Sequence, residues 1–519
     1  MAQYELNLPA QYNASEVLFH NLDAGRGDKV AIYWQDRQVT YSALAETACR
    51  LGNAIGDLGV EAGSRVMMLL MDTPAFPATF FGTMRAGFVP IPTNTVLPAD
   101  NYAYFLNDSE APVAVVSAPL YPKIAAIRAN CPMLKHVIVV GGNSEGSLGK
   151  EETLDFDAIC AASSAELTPV SRTPNDQAFW LYSSGSTGFP KGVVHLQKDI
   201  RYTTETYGKQ VLGVTEDDIC FSASKAFHAY GLGNNVTFPY SVGASTVMLS
   251  GRPTPDRVYA MIEQTKPTLF FTAPTLYTAM LAQYAGTDMS SIRLCISAAE
   301  ALQPEVYRQW KAKFGVDILD GIGSTEMLHI FISNREGDVV AGSSGTAVPG
   351  YELKIEDFEG NPVVQGESGN LLVRGGSGAP YYWNRPEKTA HTMRGEWNFT
   401  GDRYYQDENG YYFYEGRSDD MFKVSGQWVS PIEVENTLME HEGVHECAVV
   451  ITKDAKGLQR TKACVISAEG YEAGDELTKS LQDYVKSRLA PYKYPRIVEY
   501  FDDLPKTATG KIQRFKLRV

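Results

Sequence analysis

The chain has 519 residues, of which 44% are hydrophobic and 21% charged, as in an ordinary globular protein of roughly two to four domains. Its formal net charge of −15 argues against a general binder of nucleic acids or of acidic membranes. The seven cysteines form no C-x-x-C pair, the N-terminus has no signal pattern, and no apolar run approaches a membrane span. We therefore expect a cytoplasmic protein with free thiols and without a zinc site, disulfides or a transmembrane segment.

Strand and helix patterns alternate along most of the chain. Short apolar runs bounded by turn residues predict strands, and apolar residues at helical spacing, as at Leu44, Ala48 and Leu51, predict helices. The predicted strands are Val30–Trp34, Gln38–Tyr41, Ser64–Met71, Phe88–Pro92, Val113–Ser117, His136–Val140, Thr246–Leu249, Leu269–Ala273, Leu294–Ser297 and Val316–Leu319, and the predicted helices are Ser42–Leu58 and Pro74–Gly87. This α/β alternation is typical of parallel sheets with helices on their faces.

The pattern changes after about Tyr351. Short strands at Glu352–Asp357, Gly369–Arg374 and Gly410–Glu415 predict an antiparallel sheet or a small barrel. The last hundred or so residues mix strands and helices and predict a compact α+β domain. Its predicted strands are Glu446–Ile451 and Lys462–Ile466, and its predicted helices are Pro431–Glu440 and Glu476–Leu489. We place the domain boundary between residues 417 and 418.

One segment, Tyr182–Gly192 or YSSGSTGFPKG, has the composition of a phosphate-binding loop. Glycines allow close approach to a ligand, and hydroxyls, backbone N–H groups and a cation suit a polyphosphate. The candidate ligands are Ser183, Ser184, Gly185, Ser186, Thr187, Gly188 and Lys191. The spacing differs from a Walker loop, because Lys191 is followed by Gly192 rather than by Ser or Thr. A flexible Ser/Gly loop is the alternative, but both flanks are predicted to be buried strands.

Five separated motifs then give the chain a resemblance to a known family. They are YSSGSTGFPKG, Asp320-Gly321-Ile322-Gly323-Ser324-Thr325-Glu326, Thr400-Gly401-Asp402, Gly416-Arg417-Ser418-Asp419-Asp420-Met421-Phe422-Lys423 with Ser425-Gly426, and Leu504-Pro505-Lys506-Thr507-Ala508-Thr509-Gly510-Lys511. In this order they resemble the adenylate-forming superfamily of acyl-CoA synthetases, aryl-CoA ligases, luciferases and peptide-synthetase adenylation domains. The resemblance covers essentially the whole chain. It implies an N-terminal domain, residues 1–417, with two doubly wound parallel-sheet subdomains and a small β-barrel-like subdomain. It also implies a small mobile α+β lid, residues 418–519.

The resemblance implies roles for the charged residues of these motifs. Thr325 would approach the phosphates, Glu326 would bind Mg²⁺, Asp402 with Arg417 would hold the ribose, and Lys511 would be the adenylation lysine. Read locally, the same residues are a helix N-cap followed by Glu, a turn aspartate between Phe399 and Tyr404, a surface ion pair and a solvated C-terminal lysine. Further implied ATP contacts are Ala299, Glu300, Asp320, Gly321 and Ile322. The implied hinge is Asp419, and the implied CoA tunnel is formed by Ser425, Gly426 and Trp428.

The acid pocket is predicted from three further segments. The implied substrate-binding residues are His228, Ala229, Tyr230, Gly323, His329, Ile330 and Lys423. Aromatic and small residues predict a flat, mainly apolar slot that suits an aromatic acid. Segments such as WLYSSGSTG and DGIGSTEMLHIF resemble benzoate-CoA ligases. Phe227-His228 departs from that pattern, where two aromatics are usual, so His228 is either a gate or polar partner of the substrate or a structural histidine. Hydroxybenzoate and aminobenzoate therefore remain alternatives to benzoate.

These features predict an AMP-forming aryl-CoA ligase. It would use ATP with Mg²⁺, a small aromatic acid and coenzyme A, with no nucleic acid or membrane partner, and the family is often dimeric. We expect no carrier domain after Val519, and this expectation favours free CoA. The alternatives are an adenylation enzyme that loads a separate carrier protein, and a phosphate-releasing ATPase or kinase.

Overall fold

The computed structural model describes residues 4–142, 153–183, 190–418, 421–424, 427–453, 459–506 and 512–518, with the backbone alone at positions 423, 427, 428 and 515. Several predicted site residues lie outside the described residues: Ser184, Gly185, Ser186, Thr187, Gly188, Asp419, Ser425, Gly426 and Lys511.

The described chain divides into two compact units. The first comprises Met1–Ala341, Gly345–Leu353 and Val373–Phe399, and the second Gly342–Ser344, Lys354–Leu372 and Thr400–Val519. The predicted division into residues 1–417 and 418–519 stays a prediction.

A nine-stranded sheet forms one layer of the first unit. Its strands, in spatial order, are Thr346–Ala347, Ile330–Ser333, Ile318–Gly323, Leu294–Ser297, Leu269–Thr272, Ile219–Ser222, Ser245–Met248, Val30–Trp34 and Arg37–Thr40. Pairing is parallel from Ile318–Gly323 to Val30–Trp34 and antiparallel at both edges. The carboxyl ends of the parallel strands share one edge, where α/β enzymes place their ligands.

A second sheet of the first unit has five parallel strands. In spatial order they are Val89–Pro92, Arg65–Leu69, Val113–Ser117, His136–Val140 and Leu154–Asp155. The middle strand Val113–Ser117 is buried at every position, as expected for a parallel sheet covered on both faces. The predicted α/β fold with parallel sheets is confirmed.

Helices cover these sheets. In the first unit the α-helices are Glu16–Asp23, Tyr41–Asp57, Ala75–Arg85, Ala99–Ser109, Tyr121–Ala125, Phe156–Ala162, Asp199–Thr203, Ala229–Leu232, Phe238–Val242, Pro255–Thr265, Pro274–Ala282, Pro304–Phe314 and Pro386–Thr392. Shorter 3-10 helices are Ala118–Leu120, Arg128–Asn130 and Thr325–Met327, and π-helical turns are Thr204–Gly208 and Gly233–Thr237. The helix Tyr41–Asp57 follows the predicted stripe, and the Thr40 hydroxyl accepts the Ala43 N–H at 3.2 Å as its N-cap.

The remaining strands include those predicted after Tyr351. Glu352–Glu356, Gly369–Arg374, Met393–Arg394, Trp397–Gln406 and Tyr412–Arg417 form a five-stranded sheet. The pairings of Trp397–Gln406 with Met393–Arg394 and with Tyr412–Arg417 are antiparallel, as predicted. The prediction of a turn at Asp402 is wrong, because Asp402 lies within the strand Trp397–Gln406. The Gly-Asp pair suggested a turn in the sequence. Gly401 does have a positive φ of 74°, but the strand continues through it.

The C-terminal segment forms an α+β layer within the second unit. Its strands Val444–Lys453, Gln459–Ser467 and Ile497–Tyr500 form one sheet, and Phe422–Val424 pairs with Gln427–Val429. The helices Pro431–Met439 and Asp475–Arg488 contribute Val434, Leu438 and Leu481 to its apolar core, and a 3-10 helix spans Arg514–Leu517. No helix among the residues described in either unit is long and apolar enough to cross a membrane.

Candidate active site

A β-hairpin holds both ends of the predicted phosphate loop. The strand Gln177–Ser183 pairs antiparallel with Lys191–Leu196, and the last pair in register is Ser183 with Lys191. The predicted burial of the flanks is confirmed, since each strand has a buried centre. The loop is therefore bounded by two strands that hold its first hydroxyl and its lysine side by side.

A polar network fixes the same hairpin from the helix Ala99–Ser109. Tyr182 donates its hydroxyl proton to Asp108 at 2.8 Å, and Tyr104 donates to the carbonyl of Pro190 at 2.8 Å. Arg385 donates to Asp108 at 2.7 Å and to the Tyr104 oxygen at 2.9 Å. Burial, then the Asp108 carboxylate, raise the pKa of Tyr182 far above its usual value, so it stays a donor. Both loop ends thus have side-chain anchors.

The segment with the predicted metal ligand is a short turn after the strand Ile318–Gly323. The Ser324 hydroxyl accepts the Met327 N–H at 3.2 Å, so the N-cap interpretation holds for Ser324. The turn continues as the 3-10 helix Thr325–Met327 and ends at Leu328, whose φ is +67°. A bulky residue in this region of backbone space is uncommon and typical of a tightly determined site.

Lys191, Tyr382 and Glu326 form one cluster at the end of the hairpin. Tyr382 donates to Glu326 Oε1 at 2.7 Å, and Lys191 Nζ donates to the Tyr382 oxygen at 3.1 Å. Lys191 Nζ lies 3.9 Å from Glu326 Oε1, and Ser183 Oγ lies 3.4 Å from the same oxygen. The Lys191 and Glu326 side chains are 15% and 17% exposed, so the pair is only partly desolvated and remains open to a ligand.

This cluster offers one carboxylate, as the prediction of a Mg²⁺ ion carried by a nucleotide requires. No group of three or more His, Cys, Asp and Glu side chains in the described part of the chain could hold a metal ion. Mg²⁺ bound to ATP needs only one or two protein carboxylates, with phosphates and waters completing its shell. Glu326 has the chemistry of such a carboxylate and Lys191 beside it is a cation suited to phosphates, and their binding roles stay predictions.

The predicted nucleotide-binding residues lie at the ends of two adjacent parallel strands. Asp320 pairs in register with Ser297, and the Leu302 N–H donates to its carboxyl at 3.5 Å. Burial raises the pKa of Asp320 to about 8, although Ser297 and backbone N–H groups oppose the shift. Gly321 and Ile322 continue the same strand.

The loop after Ser297 carries the other two predicted nucleotide contacts. Ala299 is exposed with φ 78°, and Glu300 accepts a hydrogen bond from Thr275 at 2.7 Å. A Cβ at Gly321 would lie 2.7 Å from the carbonyl oxygen of Ile332, so a side chain there would displace the neighbouring strand.

The predicted acid-pocket residues Tyr230 and His329 meet in the structure. His329 Nε2 lies 3.2 Å from the carbonyl of Tyr230 and 3.2 Å from Asn234 Oδ1, both acceptors, so Nε2 carries the proton. Burial lowers the pKa of His329 to about 3, and the ring is neutral at neutral pH. A Cβ at Gly233 would lie 2.3 Å from the ring, so this glycine provides the space for His329.

The other pocket candidates are placed as follows. Tyr230 donates its hydroxyl proton to the carbonyl of Ile296 at 3.0 Å, which fixes the ring. His228 is the half-buried residue at the start of the helix Ala229–Leu232, and its ring centroid lies 4.5 Å from that of Phe227. Ile330 is buried in the strand that pairs with Gly323. Both interpretations of His228 stay open, and the side chain of Lys423 lies outside the described residues.

In the second unit, Asp402 and Arg417 contact each other directly. They are register partners in adjacent strands, and Arg417 Nη1 donates to Asp402 Oδ1 at 2.9 Å and to the carbonyl of Thr400 at 3.0 Å. Their pairing follows from strand register, which their positions in the sequence do not show.

Three polar side chains of the site were missed by the sequence reasoning. Tyr382 lies 56 residues from Glu326 in a run of aromatic residues, and no spacing signals its role. His195 and Asp199 are both 0% exposed, and their ring nitrogen and carboxyl oxygen lie 3.0 Å apart. Their i, i+4 spacing at the end of an apolar strand was the available signal.

Comparison with known proteins places the chain in a family. The AMP-binding enzyme family matches residues 19–383, and the AMP-binding enzyme C-terminal domain matches residues 433–511. The benzoate–CoA ligase of Thauera aromatica is 49% identical over 99% of this chain and 97% of that protein. The 4-hydroxybenzoate–CoA/benzoate–CoA ligase of Rhodopseudomonas palustris is 42% identical over 98% of this chain and 94% of that protein.

Solved structures of CoA ligases have the same fold as this chain. The anthranilate CoA ligase AuaEII in complex with anthranoyl-AMP has a TM-score of 0.93 at 43% identity, covering 98% of this chain and 97% of that one. A benzoate CoA ligase from Burkholderia xenovorans has a TM-score of 0.89 at 42% identity, covering 98% of this chain and all of that one. The predicted resemblance is confirmed, and the chain belongs to the AMP-binding enzyme family.

Proposed function

We propose that the chain is an AMP-forming aryl-CoA ligase that activates benzoate. The observation that carries the proposal is the cluster of Lys191, Tyr382 and Glu326 at the hairpin that holds the hydroxyl-rich loop. A cation and a carboxylate side by side suit a nucleotide polyphosphate and its Mg²⁺. The 49% identity to a benzoate–CoA ligase over nearly the whole chain supports this acid.

Two displacements make up the reaction. A carboxylate oxygen of the acid attacks the α-phosphorus of ATP, the bond to pyrophosphate breaks, and an aroyl-adenylate forms. The CoA sulfur then attacks the aroyl carbon, the bond to the AMP oxygen breaks, and the thiol proton leaves to solvent. Neither displacement needs a side-chain nucleophile, so the protein's contribution is positioning and charge stabilisation.

The proposed roles follow the residues of the site. Lys191 and Ser183 bind the departing phosphates, and Glu326 is the carboxylate that would hold Mg²⁺, which neutralises phosphate charge when bound. Thr325 contacts the phosphate, and Lys511 supplies charge at the α-phosphate. Further proposed contacts are Ala299, Glu300, Asp320, Gly321 and Ile322 for the nucleotide, Asp402 and Arg417 for the ribose, and His228, Ala229, Tyr230, Gly323, His329, Ile330 and Lys423 for the acid.

A neutral pocket supports a small aromatic acid as substrate. His329 is uncharged at neutral pH, and the Tyr230 hydroxyl is already bonded to a backbone carbonyl. Neither group therefore demands a polar substituent on the ring, and benzoate is the preferred acid. The relatives that act on 4-hydroxybenzoate and anthranilate make these the nearest competitors.

Exchange of labelled pyrophosphate into ATP tests the proposal. The purified protein is assayed with benzoate, 2-aminobenzoate, 4-hydroxybenzoate and a fatty acid in turn. Benzoate should support the highest exchange and, with CoA added, yield benzoyl-CoA. Exchange that no carboxylate stimulates would refute adenylation, and exchange without thioester would favour the carrier-loading alternative.

The proposal also includes the cellular compartment and the oligomeric state. All seven cysteines are free and buried, in keeping with a protein of the reducing cytoplasm. The homodimer expected from the family is tested by sedimentation at several concentrations.

A further inference from the structure

A buried histidine–aspartate pair touches the metal-ligand turn without facing solvent. His195 lies at the end of the hairpin strand Lys191–Leu196, and Asp199 begins the helix Asp199–Thr203. Nδ1 of His195 lies 3.0 Å from Asp199 Oδ2, and Nε2 lies 2.9 Å from the carbonyl oxygen of Thr325. Neither side chain has any exposed surface.

The hydrogen-bond partners determine where the proton sits. The Thr325 carbonyl can only accept, so His195 Nε2 must carry a proton. Asp199 Oδ2 also accepts the Leu196 N–H at 2.9 Å, and burial raises the pKa of the Asp199 carboxyl. The remaining proton therefore lies between the carboxyl and Nδ1, and either location leaves Nε2 as the donor to Thr325.

The turn is held at three consecutive carbonyls. The Thr325 carbonyl accepts from His195, the Glu326 carbonyl accepts the Ala379 N–H at 2.8 Å, and the Met327 carbonyl accepts the Ser377 hydroxyl at 2.9 Å. Of these three donors, His195 is the one on the strand that also carries Lys191. Its ring is further fixed by Phe179, with centroids 5.0 Å apart and planes 22° apart.

We propose that His195 and Asp199 are positioning residues that fix the Thr325–Glu326 turn relative to Lys191 for the adenylation step. This inference rests on the proposed function. Asp199 selects the His195 tautomer that donates to Thr325, and His195 connects the strand of the phosphate-binding lysine to the turn of the proposed Mg²⁺ ligand. Misplacing either group by about 1 Å would cost up to about a hundredfold in rate.

Matched amide substitutions separate this role from general packing. The Gln side-chain nitrogen lies as many bonds from Cβ as His Nε2, and the Asn nitrogen as many as His Nδ1. His195→Gln can therefore still donate to Thr325, whereas His195→Asn cannot. In Asp199→Asn the oxygen that accepts the Leu196 N–H also faces Nδ1, so Nδ1 must carry the proton of the neutral ring and Nε2 no longer donates to Thr325. Thr203→Val, a buried change on the same helix, is the control.

Carboxylate-dependent pyrophosphate exchange should fall about tenfold to a hundredfold in His195→Asn and Asp199→Asn. It should stay within about threefold of wild type in His195→Gln and Thr203→Val, a difference below the net worth of one hydrogen bond. Thioester formation from supplied benzoyl-adenylate should be unchanged in all four, which also shows that they fold. Wild-type exchange in His195→Asn, or equal losses in His195→Gln and His195→Asn, would overturn the positioning role.

NMR with ¹⁵N-labelled histidine rings tests the hydrogen bond from His195 to Thr325 independently of any activity assay. In addition to the signal of the buried His329, the wild type should give a second protected Nε2–H signal that disappears in His195→Asn and in Asp199→Asn. That result, together with a wild type that supports no exchange, would refute the proposed function while the hydrogen bond to the turn stands. If the wild type lacks the signal that His195→Asn should remove, the hydrogen bond from His195 Nε2 to the Thr325 carbonyl is refuted.

Discussion

At the residue scale, Tyr382 joins the two charged side chains of the site. Its hydroxyl donates to Glu326 and accepts from Lys191 at the same time, so Tyr382→Phe removes both contacts without changing the ring. We expect the KM for MgATP to rise about tenfold, because a hydrogen bond to a charged group is worth about 1.5 to 3 kcal/mol.

Steady-state kinetics with benzoate varied separately should show little change in its KM. Tyr381→Phe is the control, since the neighbouring hydroxyl bonds to Gln177 and to neither charged residue. Equal effects of the two substitutions on the KM for MgATP would contradict the role of Tyr382.

A second residue-scale prediction concerns pH and Asp320. Its folded pKa of about 8 lies above the unfolded value of 3.8, so the unfolded chain releases this proton first and stability falls as pH rises from 3.8 to 8. His329 has the opposite effect on stability, because its folded pKa of about 3 lies below the unfolded value of 6.5. The unfolded chain therefore takes up this proton first, and stability falls as pH drops below 6.5. Between pH 6.5 and 8 the Asp320 effect therefore acts without that of His329.

Asp320→Asn mimics the protonated carboxyl and should remove this dependence. Relative to the variant, the wild type should lose about 1.5 kcal/mol between pH 6.5 and 8. Thermal unfolding of both proteins at the two pH values measures the difference. Parallel curves would mean that Asp320 is ionised in the folded protein throughout this range.

At the element scale, the hairpin that carries Ser183 and Lys191 depends on the helix Ala99–Ser109. Asp108, whose side chain is 7% exposed, accepts from both Tyr182 and Arg385. Asp108→Ala leaves a buried hydroxyl and a guanidinium without this acceptor, which costs about 1 to 3 kcal/mol.

We expect Asp108→Ala to lower the melting temperature and to raise the KM for MgATP several-fold, because the hairpin end loses its anchor. Asp100→Ala, at an exposed position in the first turn of the same helix, should change neither quantity. A loss of stability with an unchanged KM would separate the anchor from nucleotide binding.

The elements themselves were largely predictable, whereas their contacts were not. Apolar runs such as Val113–Ser117 and Leu294–Ser297 were predicted with the correct bounds, because strands of a parallel sheet are buried on both faces. The strand predicted at Val316–Leu319 instead spans Ile318–Gly323 and takes up the motif Asp320–Gly323, since pairing with Ile330–Ser333 continues past the apolar run. Long-range partners such as Tyr382 and Glu326 leave no local pattern.

At the scale of the whole molecule, the division into two compact units predicts separate unfolding transitions. Each unit contains its own apolar clusters, so a cavity in one core should destabilise that unit alone. Leu51 and Leu481 offer a matched pair, because both are 0% exposed and lie within amphipathic helices of the first and second unit.

Leu51→Ala and Leu481→Ala should each cost about 2 to 5 kcal/mol. In scanning calorimetry each substitution should lower a different transition by several degrees and leave the other within about 1 °C, since 1 kcal/mol shifts the melting temperature by about 2 to 8 °C for domains of this size range. Digestion of each variant with a protease near its lowered transition should degrade the destabilised unit first and leave the chain segments of the other unit resistant to cleavage. If both substitutions lower one common transition, the units unfold cooperatively, and the predicted boundary between residues 417 and 418 does not separate independent domains.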